Sequence, residues 1–209
     1  MNTRILLREY KKQDNESLID IIREAWHYDE FCSPGTAGKL AKIFLYSCLT
    51  NQTYTQVAEV DGKAVGVIMA KNIRKHRCPV KYRIGQLLCI LSLLLSREGR
   101  KTARIFQNVS AIDRRLLEQS KKEYQGEVAF FAVSSEYRGL KIGKTLFDQM
   151  LHYMKSQGIT DFYLFTDTSC NYGFYNHQGM SCADEETEIF TVNQQKEKMT
   201  FFIYEYALI

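Results

Sequence analysis

The chain has 209 residues, a formal net charge of +4, and apolar and charged fractions of 45% and 25%. This length and composition suit one soluble domain with a well-formed core, and a count of two prolines argues against a disordered chain. A net charge this small gives no reason to expect a nucleic-acid partner.

The cysteines and the N-terminus indicate a cellular compartment. The six cysteines are scattered without a CxxC pair, so we expect reduced thiols and neither a disulfide framework nor a zinc site. The four histidines show no ligand spacing, and we expect no metal. The N-terminus becomes charged too soon for a signal peptide, and no apolar run is long enough to span a bilayer. We therefore expect a cytoplasmic protein without a membrane partner.

The first third of the chain predicts a strand, two helices and a hairpin. Asp14 or Asn15 can cap the first helix, and Asp61-Gly62 is a strong hairpin turn. The predicted elements are residues 4–10 (strand), 15–27 and 40–48 (helices), and 53–60 and 63–70 (strands).

Residues 71–126 separate this hairpin from the next predicted strand. The segment opens with a basic stretch at 71–83, continues with an apolar helix at 84–95, and ends with an amphipathic helix whose apolar stripe includes Ile112. The other face of this last helix carries Asp113. Three interpretations stay open: a helical hairpin that completes the core, a cover over a substrate site or dimer surface, or a membrane-surface or nucleic-acid contact.

Residues 127–147 (EVAFFAVSSEYRGLKIGKTLF) join an apolar strand to a helix through a basic loop. The run at 128–133 suits a strand buried on both faces, and helical spacing starts at Ile142. Free backbone N–H groups at a helix start bind phosphate, and Gly139 and Gly143 would let phosphates approach the backbone. The loop is a candidate anion site, and its basic side chains are Arg138, Lys141 and Lys144.

The last third predicts a buried strand at 161–166, a polar and aromatic segment at 167–180 (DTSCNYGFYNHQGM), and two strands at 188–192 and 199–206.

The loop and the segment at 167–180 together resemble the GNAT superfamily of acyl-CoA-dependent N-acetyltransferases. Motif A of that family reads Arg/Gln-x-x-Gly-x-Gly/Ala; Arg138 takes its first place, Gly143 its last, and Lys141 stands where glycine is usual. Phe174-Tyr175 followed by Gly179-Met180 matches the second motif. The usual asparagine position is Thr168, and Asn171 lies closer to the tyrosine.

The resemblance implies an α/β (α+β) fold with a mixed central sheet of about six to seven strands flanked by helices. It implies a single domain over residues 1–209, in which residues 71–126 are a helical insertion, an inserted hairpin, between the third and fourth strands.

The resemblance also implies transfer of an acetyl group from acetyl-CoA to a primary amine by direct attack in a ternary complex, with no metal. By family position Tyr175 would protonate the leaving thiolate and Glu127 would be the base. Glu9, Asp29, Glu30 and bulk solvent are alternative bases. The Val133 amide would face the thioester oxygen. The residues that the resemblance assigns to acetyl-CoA are Phe131, Ala132, Val133, Arg138, Gly139, Leu140, Lys141, Ile142, Gly143, Lys144, Asn171 and Phe174.

A second interpretation is a non-catalytic acyl-CoA-binding sensor or interaction module. In the enzyme interpretation the acceptor is a small-molecule or protein amine, and the basic stretch at 74–83 would favour an acceptor with a carboxylate or phosphate. A homodimer is also considered, because family members often pair and the apolar residues 84–95 need a covering surface.

Overall fold

A computed structural model of the chain describes residues 4–192 and 195–208. In that part of the chain the strands are β1 (Leu6–Arg8), β2 (Tyr54–Val60), β3 (Lys63–Asn72), β4 (Gly126–Val133), β5 (Asp161–Asp167), β6 (Ser181–Val192) and β7 (Gln195–Ala207). The helices are α1 (Asn15–Ala25), α2 (Tyr28–Phe31), α3 (Pro34–Thr50), α4 (Val80–Leu94), α5 (Arg97–Gln119), α6 (Ile142–Ser156) and α7 (Gly173–His177). Short 3-10 turns occupy Lys12–Asp14 and Ser135–Tyr137.

The strands form one seven-stranded mixed sheet in the order β1-β2-β3-β4-β5-β7-β6. Only the β4–β5 pair is parallel among the described strands. The turn between β2 and β3 places Asp61 and Gly62 at φ 49° and 80°, the left-handed conformation that a two-residue hairpin requires. The predicted mixed sheet flanked by helices is therefore confirmed.

Helices cover both faces of this sheet. On one face, α1 and α3 bury apolar residues such as Leu18 and Leu45 against β3 and β4. On the opposite face, α6 buries Leu146 and Phe147 against the sheet, together with Phe162 of β5. The neighbouring Tyr163 points to the other face and packs with α5, so α5 lies on the same side as α1 and α3.

The sheet opens between β4 and β5. The two strands pair only at Gly126 with Phe162 and at Glu127 with Tyr163, and beyond that point they diverge. In addition, β4 contains a bulge against β3, because Phe130 and Val128 have consecutive partners and Ala129 between them has none. The divergence leaves a gap in the middle of the sheet.

The segment between β3 and β4 consists of α4 and α5, which pack on different parts of the domain. On α4, the Ser92 carbonyl accepts a hydrogen bond from Lys39 Nζ of α3 at 3.2 Å, whereas Ile112 and Leu116 of α5 are buried against β5 and β7. The expectation that residues 84–95 are buried against a surface is wrong for most of α4, since only Leu93 of this helix is buried. That the segment is an inserted hairpin stays a prediction. Among the described helices, none has the length and apolarity to cross a bilayer.

Candidate active site

A cleft of about 1120 Å³ occupies the gap between β4 and β5 and reaches both faces of the sheet. We call its two ends the loop end and the acid end. The loop end is lined by Arg138, Gly139 and residues 141–144. The acid end is lined by Asp113 of α5, Glu127 of β4 and Asp167 of β5, together with residues of α3, whereas Glu24 of α1 accepts a hydrogen bond from the Ser135 N–H at 3.1 Å beside the loop end.

The loop end presents free amide donors. Helix α6 begins at Ile142, and its first described backbone hydrogen bond runs from the Thr145 N–H to the Lys141 carbonyl at 3.0 Å. The amides of Ile142, Gly143 and Lys144 therefore have no helical acceptor and carry the partial positive charge of a helix start. This arrangement suits an anion.

Basic side chains surround these amides. Arg138 and Lys141 are exposed and form no ion pair within residues 4–192 and 195–208. Lys144 pairs with Asp148 one turn later at 2.8 Å. The two unpaired cations remain available to phosphate groups.

The loop conformation gives a physical reason for glycine at the fourth place of motif A. Lys141 has φ 60° and ψ 12°, the left-handed region that glycine adopts without cost. Gly139 is also left-handed, at φ 82°. Between these two residues the Leu140 side chain points to solvent, is 44% exposed and does not line the cleft, unlike the other predicted acetyl-CoA residues.

Gly143 leaves the floor of the loop end open. A Cβ at this position would lie 3.5 Å from the ring of Phe131 and 3.7 Å from the ring of Phe174. These rings pack on each other with centroids 5.3 Å apart, so they form a fixed apolar surface under the glycine. A groove with free amides, unpaired cations and an apolar floor fits a phosphate-bearing co-substrate with an extended arm. Asn171 lies exposed on its rim.

The β4 backbone offers hydrogen-bonding groups to the gap. The Ser134 N–H donates to the Val65 carbonyl of β3 at 2.9 Å. Because backbone groups alternate in direction along an antiparallel strand, those of Val133 and Phe131 point away from β3 and into the gap. The backbone groups of Ala132 point to β3, so the prediction that Ala132 supplies backbone hydrogen bonds to acetyl-CoA is not supported by this geometry.

Tyr175 lies between the two ends of the cleft. Its ring packs on Phe131, Phe174 and Tyr204, and its hydroxyl makes no hydrogen bond with any residue in the described part of the chain. Burial raises the pKa of Tyr175 far above its ordinary value. The hydroxyl therefore keeps its proton at neutral pH and can act as a proton donor.

Glu127 is held in a network of hydrogen bonds at the acid end. Lys71 forms an ion pair with it at 2.5 Å, and Asn51 Nδ2 and the Tyr163 hydroxyl donate to its two carboxylate oxygens at 2.8 and 3.2 Å. Its carboxylate is satisfied by protein partners, which makes it a weaker candidate for accepting a substrate proton.

Asp113 is another carboxylate in the cleft, although the sequence pattern predicts it on the face of its helix opposite the apolar stripe. It forms no hydrogen bond or ion pair with the described residues. Burial, followed by repulsion from Asp167 and Glu127, raises its pKa to about 7. Asp113 follows Val109 by one helical turn on α5 and both residues line the cleft, but no sequence signal shows which side of α5 faces the cleft.

Asp167 completes the acid end at the carboxyl end of β5. It is buried, and its Oδ1 accepts hydrogen bonds from the Ser169 N–H and hydroxyl at 2.7 and 2.5 Å. The adjacent Thr166 hydroxyl is buried in the cleft wall and has no hydrogen-bond partner among the described residues. None of the other predicted bases, Glu9, Asp29 and Glu30, lines the cleft. Within the described residues no group of three or more His, Cys, Asp or Glu side chains could hold a metal ion.

Comparisons with known proteins agree with this architecture. The model of the acetyltransferase (GNAT) family matches residues 15–180. The fold is similar to that of PH1933 from Pyrococcus horikoshii OT3, with 16% identity, coverage of 99% of each chain and a TM-score of 0.61. It is also similar to the ribosomal-protein-S18-alanine N-acetyltransferase from Escherichia coli, with 10% identity, coverage of 98% of this chain and 94% of that chain, and a TM-score of 0.55. A search of curated proteins gave no match.

Proposed function

This chain belongs to the acetyltransferase (GNAT) family, and we propose that it transfers an acetyl group from acetyl-CoA directly to a primary amine in a ternary complex. Acyl-CoA-dependent acetyl transfer follows from the family; the acceptor class and the direct mechanism are the proposal. The observation that carries it is the continuous cleft through the sheet, with amides and cations at one end and carboxylates at the other. Two substrates can enter from opposite faces and meet beside the β4 backbone.

The proposed proton transfers use two side chains of the cleft. Acetyl-CoA supplies an acetyl group on a thioester, which only an uncharged amine can attack. Asp113, with a pKa of about 7, is placed to take the proton from an ammonium group, and it joins Glu127 as a candidate base. In this proposal Tyr175 protonates the departing thiolate, and the Val133 N–H, which points into the gap, stabilises the charge that develops on the carbonyl oxygen.

A relay through an enzyme thiol is the alternative route. Cys48 and Cys170 both line the cleft, but burial raises the pKa of both thiols, that of Cys170 to about 11. A thiol with so high a pKa is almost entirely protonated at neutral pH, and the thiolate is the nucleophilic form. This protonation favours direct transfer.

Initial-rate kinetics test the proposal. Acetyl-CoA and a primary amine would be varied together, with the Cys170→Ser variant measured beside the parent. Direct transfer predicts intersecting double-reciprocal lines and a turnover that the substitution leaves within about twofold. Parallel lines, together with loss of turnover in Cys170→Ser or recovery of an acetylated protein, would show a thiol relay and overturn it.

A further inference from the structure

Helix α4 exposes a leucine-rich face. Seven of the twelve large apolar side chains that are exposed in the described part of the chain lie on α4 or directly after it. They are Val80, Ile84, Leu87, Leu88, Leu91, Leu94 and Leu95. Leu88 and Leu91, at the middle of the helix, are 62% and 60% exposed. Scattered exposed apolar residues are ordinary, but a contiguous group of this kind marks a contact surface.

The apolar face is narrow, continuous and held in place. At about 100° per residue, the seven positions fall within a stripe about 120° wide along the whole helix. The opposite side of α4 packs on α3, where Gly85 meets the ring of Tyr46 and the Ser92 carbonyl accepts from Lys39. The helix is therefore fixed to the domain by one side and presents its leucines on the other.

The sequence around this helix is strongly basic, although Lys75 lies away from the leucine face and donates to Gln157, directly after α6, at 2.9 Å. Residues 71–97 contain seven lysines and arginines and no acidic residue. These residues are Lys71, Arg74, Lys75, Arg77, Lys81, Arg83 and Arg97. Within residues 4–192 and 195–208, Lys71 pairs with Glu127 and the other six form no ion pair. By helical spacing, Lys81 and Arg83 flank the leucine stripe on its two sides.

We propose that the leucine face of α4 rests on the surface of a lipid bilayer that contains anionic lipids. Long basic side chains at the edges of an apolar stripe reach lipid head groups while the stripe enters the acyl boundary. The clustered positive charge, which has few acidic partners in the protein, is complementary to anionic head groups. This proposed contact departs from the sequence-based expectation of no membrane partner, and it is independent of the proposed acetyl transfer.

A second copy of the chain fits this face less well than a bilayer. Two α4 helices packed face to face would bring the basic flanks of both copies together without acidic partners. The stripe also lacks aromatic side chains, which are enriched in the cores of protein interfaces.

Vesicle flotation of the full chain tests the proposal. The probes are vesicles of phosphatidylcholine with phosphatidylserine and vesicles of phosphatidylcholine alone. We expect binding to the anionic vesicles, a loss of roughly tenfold or more in Leu88→Gln/Leu91→Gln, and a loss of about fivefold per charge in Lys81→Gln/Arg83→Gln. Ile189→Gln, at an apolar residue of β6 that is 63% exposed, is the matched control and should bind like the parent.

Three results would overturn the proposal. The first is that the parent binds neither kind of vesicle, and the second is that Ile189→Gln loses as much vesicle binding as the leucine variant. The third is that the parent sediments as a dimer, that Leu88→Gln/Leu91→Gln dissociates this dimer, and that the parent does not bind vesicles. The last result would assign the face to a second copy. An unchanged circular-dichroism spectrum and melting temperature in all variants would show that each variant is folded.

Discussion

Tyr175 combines a protonated hydroxyl with a position between the two ends of the cleft. The raised pKa keeps this hydroxyl protonated, and its position would let it donate the proton to a thiolate that forms nearby. We expect Tyr175→Phe to lower kcat by about 10²-fold while the Kd for acetyl-CoA stays within about twofold, because the ring and its packing are retained.

The control for this substitution is Tyr172→Phe. Tyr172 is exposed, packs against Phe202 and does not line the cleft, so its hydroxyl should be dispensable. Equal activity of Tyr175→Phe and the parent would remove Tyr175 from the mechanism.

Asp113 should set the pH dependence of both rate and stability. If it accepts the substrate proton, the rate rises with pH up to about 7, and Asp113→Asn loses this limb with a fall of about 10²-fold. The folded-state pKa lies above the unfolded value near 4, so the contribution of Asp113 to stability is fully present below pH 4 and is lost as the pH rises toward about 7. Asp113→Asn should therefore be the more stable protein at pH 8.

The two effects of Asp113 separate a catalytic role from a structural one. Melting temperature and kcat/KM would be measured from pH 5 to 9 in the parent, in Asp113→Asn and in Glu118→Gln, an exposed acid on the same helix. A stability change without a change in the pH–rate profile would leave Glu127 as the candidate base.

At the scale of elements, Lys141 in the loop before α6 has two opposing effects: its backbone conformation lowers stability, and its charge favours binding of an anion. A lysine in the left-handed conformation lowers the free energy of unfolding by roughly 1 kcal/mol relative to glycine. Glycine loses more conformational entropy on folding, which offsets part of this difference. The side chain also adds a cation to the loop end. Lys141→Gly should therefore raise stability and weaken acetyl-CoA binding by up to roughly fivefold at low salt.

Lys141→Ala isolates these two effects, since it removes the charge and keeps the conformational cost. We expect both variants to lose the same affinity in calorimetric titration, with Lys141→Gly melting about 2 °C higher than Lys141→Ala. Tighter binding by Lys141→Gly than by the parent would mean that the lysine side chain obstructs the phosphates.

The elements with strong local signals could be predicted from the sequence. The Asp61-Gly62 turn, the apolar run of β4 and the helical spacing after Ile142 each depend on neighbouring residues alone. The last two strands are longer than predicted, because Ser181–Val192 pairs with Gln195–Ala207 through a polar stretch that hides the alternating pattern. Local signals thus located the loop end of the cleft.

The acid end could not be predicted in the same way, because it is built by contacts between distant elements. Asp113 faces the cleft because α5 packs on β5 and β7, and Glu127 is occupied by Lys71 and Asn51 from β3 and the end of α3. Apolar spacing shows that α4 has an apolar side, but it does not show what covers that side. Tertiary packing decides both questions.

At the scale of the whole molecule, the cleft is electrostatically divided. Cations stand at the loop end, while Asp113 and Asp167 stand at the acid end without a basic partner in the described chain. The basic stretch at 74–83 does not line the cleft, so it gives no support to an acceptor with a carboxylate or phosphate. The division favours an anionic co-substrate at one end and a cationic acceptor at the other.

The acceptor preference follows from this division. Among 1,4-diaminobutane, butylamine and 4-aminobutanoate, which differ only in the charge at the far end, we expect kcat/KM to fall in that order at pH 8. One favourable charge contact in a partly buried site is worth about 1–2 kcal/mol, which is roughly 5- to 30-fold between successive acceptors. Asp167→Asn should reduce the ratio of kcat/KM between 1,4-diaminobutane and butylamine. Added salt should reduce this ratio and the ratio between butylamine and 4-aminobutanoate. Equal turnover of all three amines, or a preference for 4-aminobutanoate, would show that the carboxylates of the acid end do not select the acceptor and serve only the reacting ammonium group.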